Sequence, residues 1–440
     1  MLLIRRILLG MVILLLAGSI AMNVQATNPR IDILTVKGTI NPVLTDYIER
    51  GIEEAEDNGA SAIIIQMDTP GGLDTAMRDI IQEIVNSRIP VIVYVSPSGA
   101  RAASAGAYIT MSAHVAVMAP NTAIGAATPV QLGGDGEAQV SDALQKKILN
   151  DAVAYIRSIA ESRDRNAEWA ERAVRDGISS SAEEALNLNV IDMMAPDLNT
   201  LIAQLNGRVI TMLGGNVITL QTQGATIHHV KMKLIEDFLY TIADPNIAYL
   251  LMSLATLGIM VEIFNPGLIF PGVVGGISLL LAFYALGVLP VNWAGVLLIV
   301  LAFGLFAAEV LTTTFGLFTA GGVVSLVIGS LILFHGASPV FRVDPWLIAA
   351  VTIVITAVLA FVVNRAISAH HKQARTGREE LIGKIAIVKV ALDPEGTVFL
   401  KGEHWEAISD AGRIEPREEV IITKVDGLLL HVTKNNKGGK

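Results

Sequence analysis

The sequence predicts three successive parts: an α/β layered domain, a polytopic α-helical membrane domain and a small closed β-barrel of OB type. Three observations predict them. Strand-like and helix-like patterns alternate over residues 31–201, as in a largely parallel sheet covered by helices. From Asn246 the chain stays apolar for over a hundred residues, which only a membrane domain needs. Residues 381–432 then alternate apolar and polar side chains in some five short strands, broken at Asp393-Pro394-Glu395-Gly396, Lys401-Gly402-Glu403 and Val425-Asp426-Gly427. That is the rhythm of a small barrel.

In chain order, residues 1–26 carry Arg5 and Arg6, an apolar run and then Val24-Gln25-Ala26. This reads as a secretory signal peptide, with an uncleaved first span as the alternative. The front domain is assigned to residues 27–235. It opens with a strand over 31–36, and Asn41-Pro42 starts a helix with Val43, Tyr47, Ile48, Ile52 and Ala55 on one face. Further strands are expected over 62–67, 91–95 and 114–118, with helices after Gly72 and at Ser104. Residues 207–227 change to short alternating strands and read as a small β extension.

The membrane domain is assigned to residues 236–370, with five spans over 247–264, 268–289, 294–311, 315–334 and 346–363. The first and third are short enough to tilt or re-enter. Arg365, Lys372, Arg375 and Arg378 follow the last span, so that end is expected in the cytoplasm and the front domain outside it. The segment from Gly267 to Leu279 is echoed from Gly316 to Leu326, each copy following an acidic residue, Glu262 or Glu309. Such carboxylates are either functional or caps on glycine-packed helix pairs. Residues 371–440 are assigned to a linker and the barrel, where Phe399 and Trp405 are the only aromatics. A structural or partner-docking barrel fits better than a nucleic-acid binder.

With 440 residues, 52% of them hydrophobic, the chain is too apolar to be a soluble enzyme throughout. It has no cysteine, which excludes disulfides, thiol nucleophiles and cysteine metal sites; no metal or cofactor is expected. A net charge of −9 gives no reason to expect nucleic acid as a partner.

The chemistry points to acyl transfer. The strand 91–95 runs into Ser96-Pro97-Ser98-Gly99-Ala100-Arg101-Ala102-Ala103-Ser104-Ala105-Gly106, which places Ser104 at the start of a helix. A hydroxyl there projects from the turn beside backbone N–H donors. Upstream, the strand 62–67 ends in Asp68-Thr69-Pro70-Gly71-Gly72, whose glycines admit a ligand close to the backbone. The serine needs a base. His114 is the single histidine between Thr27 and Thr200, at a strand start where it more naturally packs. The other candidates are Lys146 and Lys147, which open a helix with Ile148, Ala152, Ile156 and Ile159 on its apolar face. A lysine serves only when desolvation keeps it neutral, and spacing alone does not choose between the two.

These residues resemble a known family. Asp68-Thr69-Pro70-Gly71-Gly72, Arg101-Ala102-Ala103-Ser104-Ala105-Gly106, Met118-Ala119-Pro120-Asn121-Thr122-Ala123-Ile124-Gly125-Ala126 and Asp244-Pro245-Asn246-Ile247-Ala248 are similar to landmarks of long-form NfeD-type membrane-bound serine proteases. The glycine-proline hairpins and the terminal barrel match too. The resemblance implies a ClpP/crotonase-like front domain of the signal-peptide-peptidase class. It implies a Ser-Lys dyad of Ser104 and Lys147, the lysine followed by Ile148-Leu149-Asn150 and an amphipathic helix. It also implies oxyanion donors at Gly72 and Ala105, cleavage of hydrophobic segments of membrane proteins, a stomatin/prohibitin-type partner and a homo-oligomer in a bacterial or archaeal cell membrane. An extended peptide would lie along Gly71 and along Thr128 and Pro129, within residues 127–130. Two other functions compete. Acyl-CoA hydration or isomerisation needs no serine-lysine pair, and a non-enzymatic membrane scaffold needs neither residue.

Overall fold

The computed structural model describes residues 28–129, 142–265, 267–312, 316–334, 339–371 and 378–435. The signal segment, Val130 and the Gly133-Gly134-Asp135-Gly136 loop fall outside these residues.

β1 (Arg30–Lys37), β2 (Ala62–Asp68) and β3 (Val91–Val95) run parallel at the centre of a six-stranded sheet. Their Ile and Val runs are buried on both faces, as parallel strands between covering layers must be. α1 (Pro42–Asp57) starts where Asn41 Oδ1 accepts from the Leu44 N–H at 3.0 Å, with Pro42 where no donor is needed. It buries the apolar face expected from the sequence. α2 (Asp74–Asn86) follows β2, and β3 leads through the short β4 (Arg101–Ala103) to α3 (Ala105–Ser112). β5 (Val115–Met118) returns beside β3. β6 (Ala123–Gly125) and β7 (Ser179–Ser181) join β4 in a separate three-stranded sheet. α4 (Asp142–Ser162), α5 (Ala167–Arg175), α6 (Ala182–Asn187), edge strand β8 (Met193–Met194) and α7 (Leu198–Leu205) complete this part of the chain.

The β extension expected over residues 207–227 is corrected in part. β9 (Val209–Thr211) and β10 (Val217–Thr219) do form a two-stranded hairpin. β11 (Thr226–Val230), however, pairs in parallel with β1 as the edge of the main sheet. Thr226-Ile227-His228-His229-Val230 shows no clean alternation, and parallel pairing with a strand at the start of the domain leaves no local signal.

α8 (Leu234–Ile242) leads to five apolar helices: α9 (Pro245–Phe264), α10 (Ile269–Val288), α11 (Trp293–Leu311), α12 (Leu317–Ile332) and α13 (Pro345–His371). The first three are long and apolar enough to cross a membrane, while Leu317–Ile332 and the Pro345–Phe361 part of α13 are shorter. α9 and α11, the segments short enough in the sequence to tilt or re-enter, have 20 and 19 residues, and α12 has 16. Leu333 and Phe334, apolar in sequence, lie in a turn beyond the end of α12.

The repeat is a pair of glycine-packed helical hairpins. A methyl group on Gly275 of α10 would stand 2.8 Å from Ile259 N of α9, and one on Gly295 of α11 would stand 2.7 Å from Leu333 Cα beyond α12. Only bare backbone permits that approach. Glu309 is buried and accepts from the Gly316 N–H at 2.8 Å and the Thr319 N–H at 3.1 Å, capping α12. Glu262 packs on Gly272, where a methyl would stand 2.8 Å from its Cγ.

The C-terminal unit closes β12 (Ile385–Val390), β13 (Glu395–Leu400), β14 (Glu403–Ser409), β15 (Glu419–Asp426) and β16 (Leu429–Lys434) into a barrel of order β12-β13-β14-β16-β15. Val388, Val398, Ala407, Val420, Leu430 and Val432 fill it. This is the five-stranded OB-type barrel that the alternation predicts.

Candidate active site

The site forms beyond the carboxyl ends of β2 and β3, where open α/β sheets leave room for ligands. Buried Thr69 holds the turn after β2. Its N–H donates to Arg101 O at 2.8 Å, its hydroxyl accepts from the Gly71 N–H at 3.0 Å, and its carbonyl accepts from the Ala103 N–H at 3.1 Å. The turn and β4 are therefore sewn together. Gly71 has φ +116°, and a methyl there would stand 2.7 Å from Ser104 Cβ and 3.2 Å from its Oγ. Glycine alone satisfies both the dihedral angle and the space.

Gly72 presents the open donor of this segment. The Ile40 N–H donates to Gly71 O and the Leu73 N–H to Ile40 O, both at 2.9 Å. This parallel bridge turns the Gly72 N–H away from Ile40, and no described residue accepts from it.

Ser104 stands between β4 and α3 with φ 53° and ψ −117°. A residue with a side chain is strained there. Its N–H donates to Gly125 O at 2.9 Å and its carbonyl accepts from the Ala107 N–H at 3.0 Å, which holds the strained turn. The side chain is half-buried, and no described residue bonds its hydroxyl. Ala105 opens α3, and its N–H likewise has no acceptor among the described residues. The structure thus brings Gly71, Gly72, Ser104 and Ala105 together.

His114 is elsewhere. Its Nδ1 accepts from the Val91 N–H at 3.2 Å, at the start of β3. That is a strand's length, about 13 Å, from the end carrying the serine. Burial, with Arg163 and Arg165 nearby, pushes its pKa down to about 3. It packs as a neutral imidazole.

Lys146 and Lys147 are both exposed in the first turns of α4, and no described residue bonds Lys147 to Ser104. Further along, α4 is anchored to α3 and α2. The Tyr108 hydroxyl donates to Ala152 O at 3.4 Å, Tyr108 stacks on Tyr155 at 6.1 Å, and Arg78 lies 4.4 Å over the Tyr155 ring. Lys147 and Ser104 each lie within about one and a half helical turns of the Tyr108–Ala152 contact. Thr128 and Pro129 follow Gly125, the acceptor for Ser104. The Ala127 N–H donates to Ala173 O at 2.9 Å, and Thr128 faces Gly177, where a methyl would stand 3.3 Å from Thr128 Oγ1.

Two arginines that the sequence did not single out secure the far end of α3. Buried Arg165 donates to Met111 O and Ala113 O and pairs with Asp192, while Arg163 Nε donates to Ser112 O at 3.0 Å. Burial and the neighbouring Arg165 lower Arg163 to about 10. The bonded groups are 51 to 54 residues apart, so no local pattern announces them.

Three domain families match along the chain. They are the NfeD1b N-terminal domain over residues 30–206, the NfeD integral membrane domain over 246–365 and the NfeD-like C-terminal, partner-binding domain over 378–434. The chain is 40% identical over 445 residues to the membrane-bound protease PH1510 of Pyrococcus horikoshii, covering 99% of each protein. The chain belongs to the long-form NfeD family. This NfeD chain is also 29% identical over 448 residues to membrane protein NfeD1b of Bacillus subtilis, covering 96% of this chain and 97% of that one. Similar solved structures include a lysine-to-alanine mutant of the 1510-N membrane-bound stomatin-specific protease with a substrate peptide. It is 37% identical, covers 49% of this chain and 98% of that one, and has a TM-score of 0.45. The C-terminal domain of stomatin operon partner protein 1510-C from Pyrococcus horikoshii is 45% identical, covering 14% of this chain and 100% of that one with a TM-score of 0.14. The NfeD chain is accordingly a membrane protein with an α/β front domain of the NfeD1b type and a terminal OB barrel.

Proposed function

We propose that this chain is a serine endoprotease in which Ser104 and Lys147 form a dyad, and that it cuts a hydrophobic segment of a stomatin-type membrane protein. Ser104 Oγ attacks the scissile carbonyl carbon while neutral Lys147 takes its proton. The oxyanion settles between the Gly72 and Ala105 N–H groups. Lys147 then returns the proton to the leaving amine, and water hydrolyses the acyl-enzyme. The substrate strand lies along Gly71-Gly72 and Thr128-Pro129. The observation that carries this reading is the strained Ser104 turn, backed by Gly71 and flanked by two N–H groups without an acceptor among the described residues. Identity of 40% to a membrane-bound protease supports it, and the match of the barrel to a partner-binding domain family supports docking of the stomatin-type protein there. The front domain is placed outside the cytoplasm, with the barrel inside and the protease parts associating as a homo-oligomer.

Ser104→Ala tests the chemistry. It is expected to leave the full chain folded and membrane-inserted and to abolish cleavage of an apolar peptide. A folded Ser104→Ala protein that still cuts overturns the assignment. Reporter fusions after Gly207 and at the C-terminus test the orientation and should read opposite sides of the membrane.

A further inference from the structure

We infer that α8 lies in the water–lipid boundary, with its apolar face among the lipid headgroups and upper acyl chains. The inference is independent of the catalytic reading.

The faces of α8 are reversed relative to an ordinary surface helix, which turns its apolar side to its own domain. Here the polar side faces inward. Glu236 is bonded through both oxygens to Arg50 of α1, at 2.6 and 2.7 Å, and the Tyr240 hydroxyl donates to Lys37 O at 2.9 Å. Leu234, Ile235 and Phe238 share the opposite side and are 93%, 59% and 49% exposed. Leu234 is the most exposed large apolar side chain among the described residues. An apolar stripe turned outward in this way is what an interfacial helix presents.

Continuity with the membrane helices identifies what covers it. α8 ends at Ile242, and Asp244 already caps α9, its Oδ1 accepting from the Asn246 N–H at 2.8 Å. The Asp344 N–H donates to Asn246 Oδ1 at 2.8 Å, which sets the start of α13 beside the start of α9. Because α9 and α10 form a close hairpin, the end of α10 and the start of α11 return to this level. There the Asn292 N–H donates to Leu333 O at 2.8 Å, bringing in the end of α12. Trp346 and Trp293, at the starts of α13 and α11, are 84% and 67% exposed. Tryptophans at the ends of apolar helices mark the headgroup layer, so α8 emerges at that layer.

The placement also bears on the site. Tyr240 fills the space over Gly38, where a methyl would stand 2.5 Å from its hydroxyl, and it contacts Thr39 O at 3.4 Å. The next residue, Ile40, is bridged to Gly72. The lipid-seated helix is thus bonded to the segment that braces the open donor.

The absence of cysteine makes the test direct. Single cysteines carrying a nitroxide label are placed at Leu234, Ile235 and Phe238 in the full chain, reconstituted in phosphatidylcholine–phosphatidylglycerol vesicles. Trp346→Cys gives the lipid-level reference. Asp57→Cys, at the C-terminal end of α1 where the side chain is 79% exposed, gives the aqueous one. All of these side chains are about half exposed or more, so the fold tolerates the labels. Collision of each label with oxygen and with a water-soluble nickel chelate is compared. The oxygen-to-nickel ratio at 234, 235 and 238 is expected to match that at 346 and to exceed that at 57 several-fold. Ratios equal to that at 57 would overturn the inference. So would labels shielded from both reagents, because the face would then be covered by protein, such as a second copy of the chain.

Discussion

The turn at Ser104 and the hairpin at Glu309 use similar parts. Each sets an oxygen-bearing side chain beside the start of a helix, in a neighbourhood of glycine and small residues. At Glu309 both carboxylate oxygens are taken, by the N–H groups of Gly316 and Thr319. At Ser104 the N–H groups of Gly72 and Ala105 have no acceptor among the described residues and lie beside a strained, half-buried hydroxyl. A satisfied buried polar group is structural. Open donors at a helix start are where a developing oxyanion fits. Composition alone could not separate these two regions, and the accounting of hydrogen bonds does.

The comparison breaks most severely at Lys147. Lys147→Ala is expected to lower kcat about a thousandfold or more, as loss of a general base does, and to add little to the loss in Ser104→Ala because the two act as a unit. Lys147→Arg should fail as well, since a guanidinium cannot accept the proton. Lys146→Ala should keep most activity. An active Lys147→Ala beside a dead Lys146→Ala would show that the base is the neighbouring residue.

A smaller effect belongs to the glycine behind the serine. Gly71→Ala puts a methyl 2.7 Å from Ser104 Cβ at a φ of +116°. Turnover should fall on the order of a hundredfold, with about 1–3 kcal/mol lost from stability. Cleavage at the wild-type rate would mean that the serine does not depend on this turn.

The membrane hairpin should respond the opposite way. Glu309→Ala removes two acceptors from α12 and is expected to cost about 1–3 kcal/mol, read as a lower unfolding midpoint in detergent, with cleavage per folded molecule unchanged. Lost cleavage at unchanged stability would move Glu309 from the structural class to the functional one.

The difference in response also explains what the sequence revealed. β1, β2, β3 and α1 were legible because their apolar runs are long and their caps local, as Asn41-Pro42 illustrates. The Ser104 turn was legible because a β-branched strand gives way abruptly to small residues. β4, β6 and β7 have three residues each, too few for any period to register. β11, Thr226-Ile227-His228-His229-Val230, shows no clean alternation, so nothing local marks it as an edge of the main sheet. Thr69 and Arg165 act through bonds to distant backbone, so neither residue type nor spacing marks them. Lys147 came from the resemblance rather than from periodicity.

The gentlest test concerns His114, a buried polar group at the end of the sheet away from Ser104. Its Nδ1 is satisfied by the Val91 N–H, while its Nε2 is buried without a partner among the described residues. Burial holds its pKa at about 3, below the ordinary 6.5. The folded protein therefore keeps the ring neutral where the unfolded chain takes up a proton. This contribution to stability is complete above the ordinary value and is lost as the pH falls from about 6.5 toward 3, amounting to about 2 kcal/mol by pH 5. His114→Asn keeps an acceptor for Val91 and removes the titration. Cleavage at pH 7.5 should be unchanged, and the drop in unfolding midpoint between pH 7.5 and pH 5 should shrink. If the drop persists in full, another group carries the acid sensitivity. If cleavage collapses instead, the imidazole is coupled to Ser104 across the whole sheet, and the division between satisfied structural groups and the open site no longer holds.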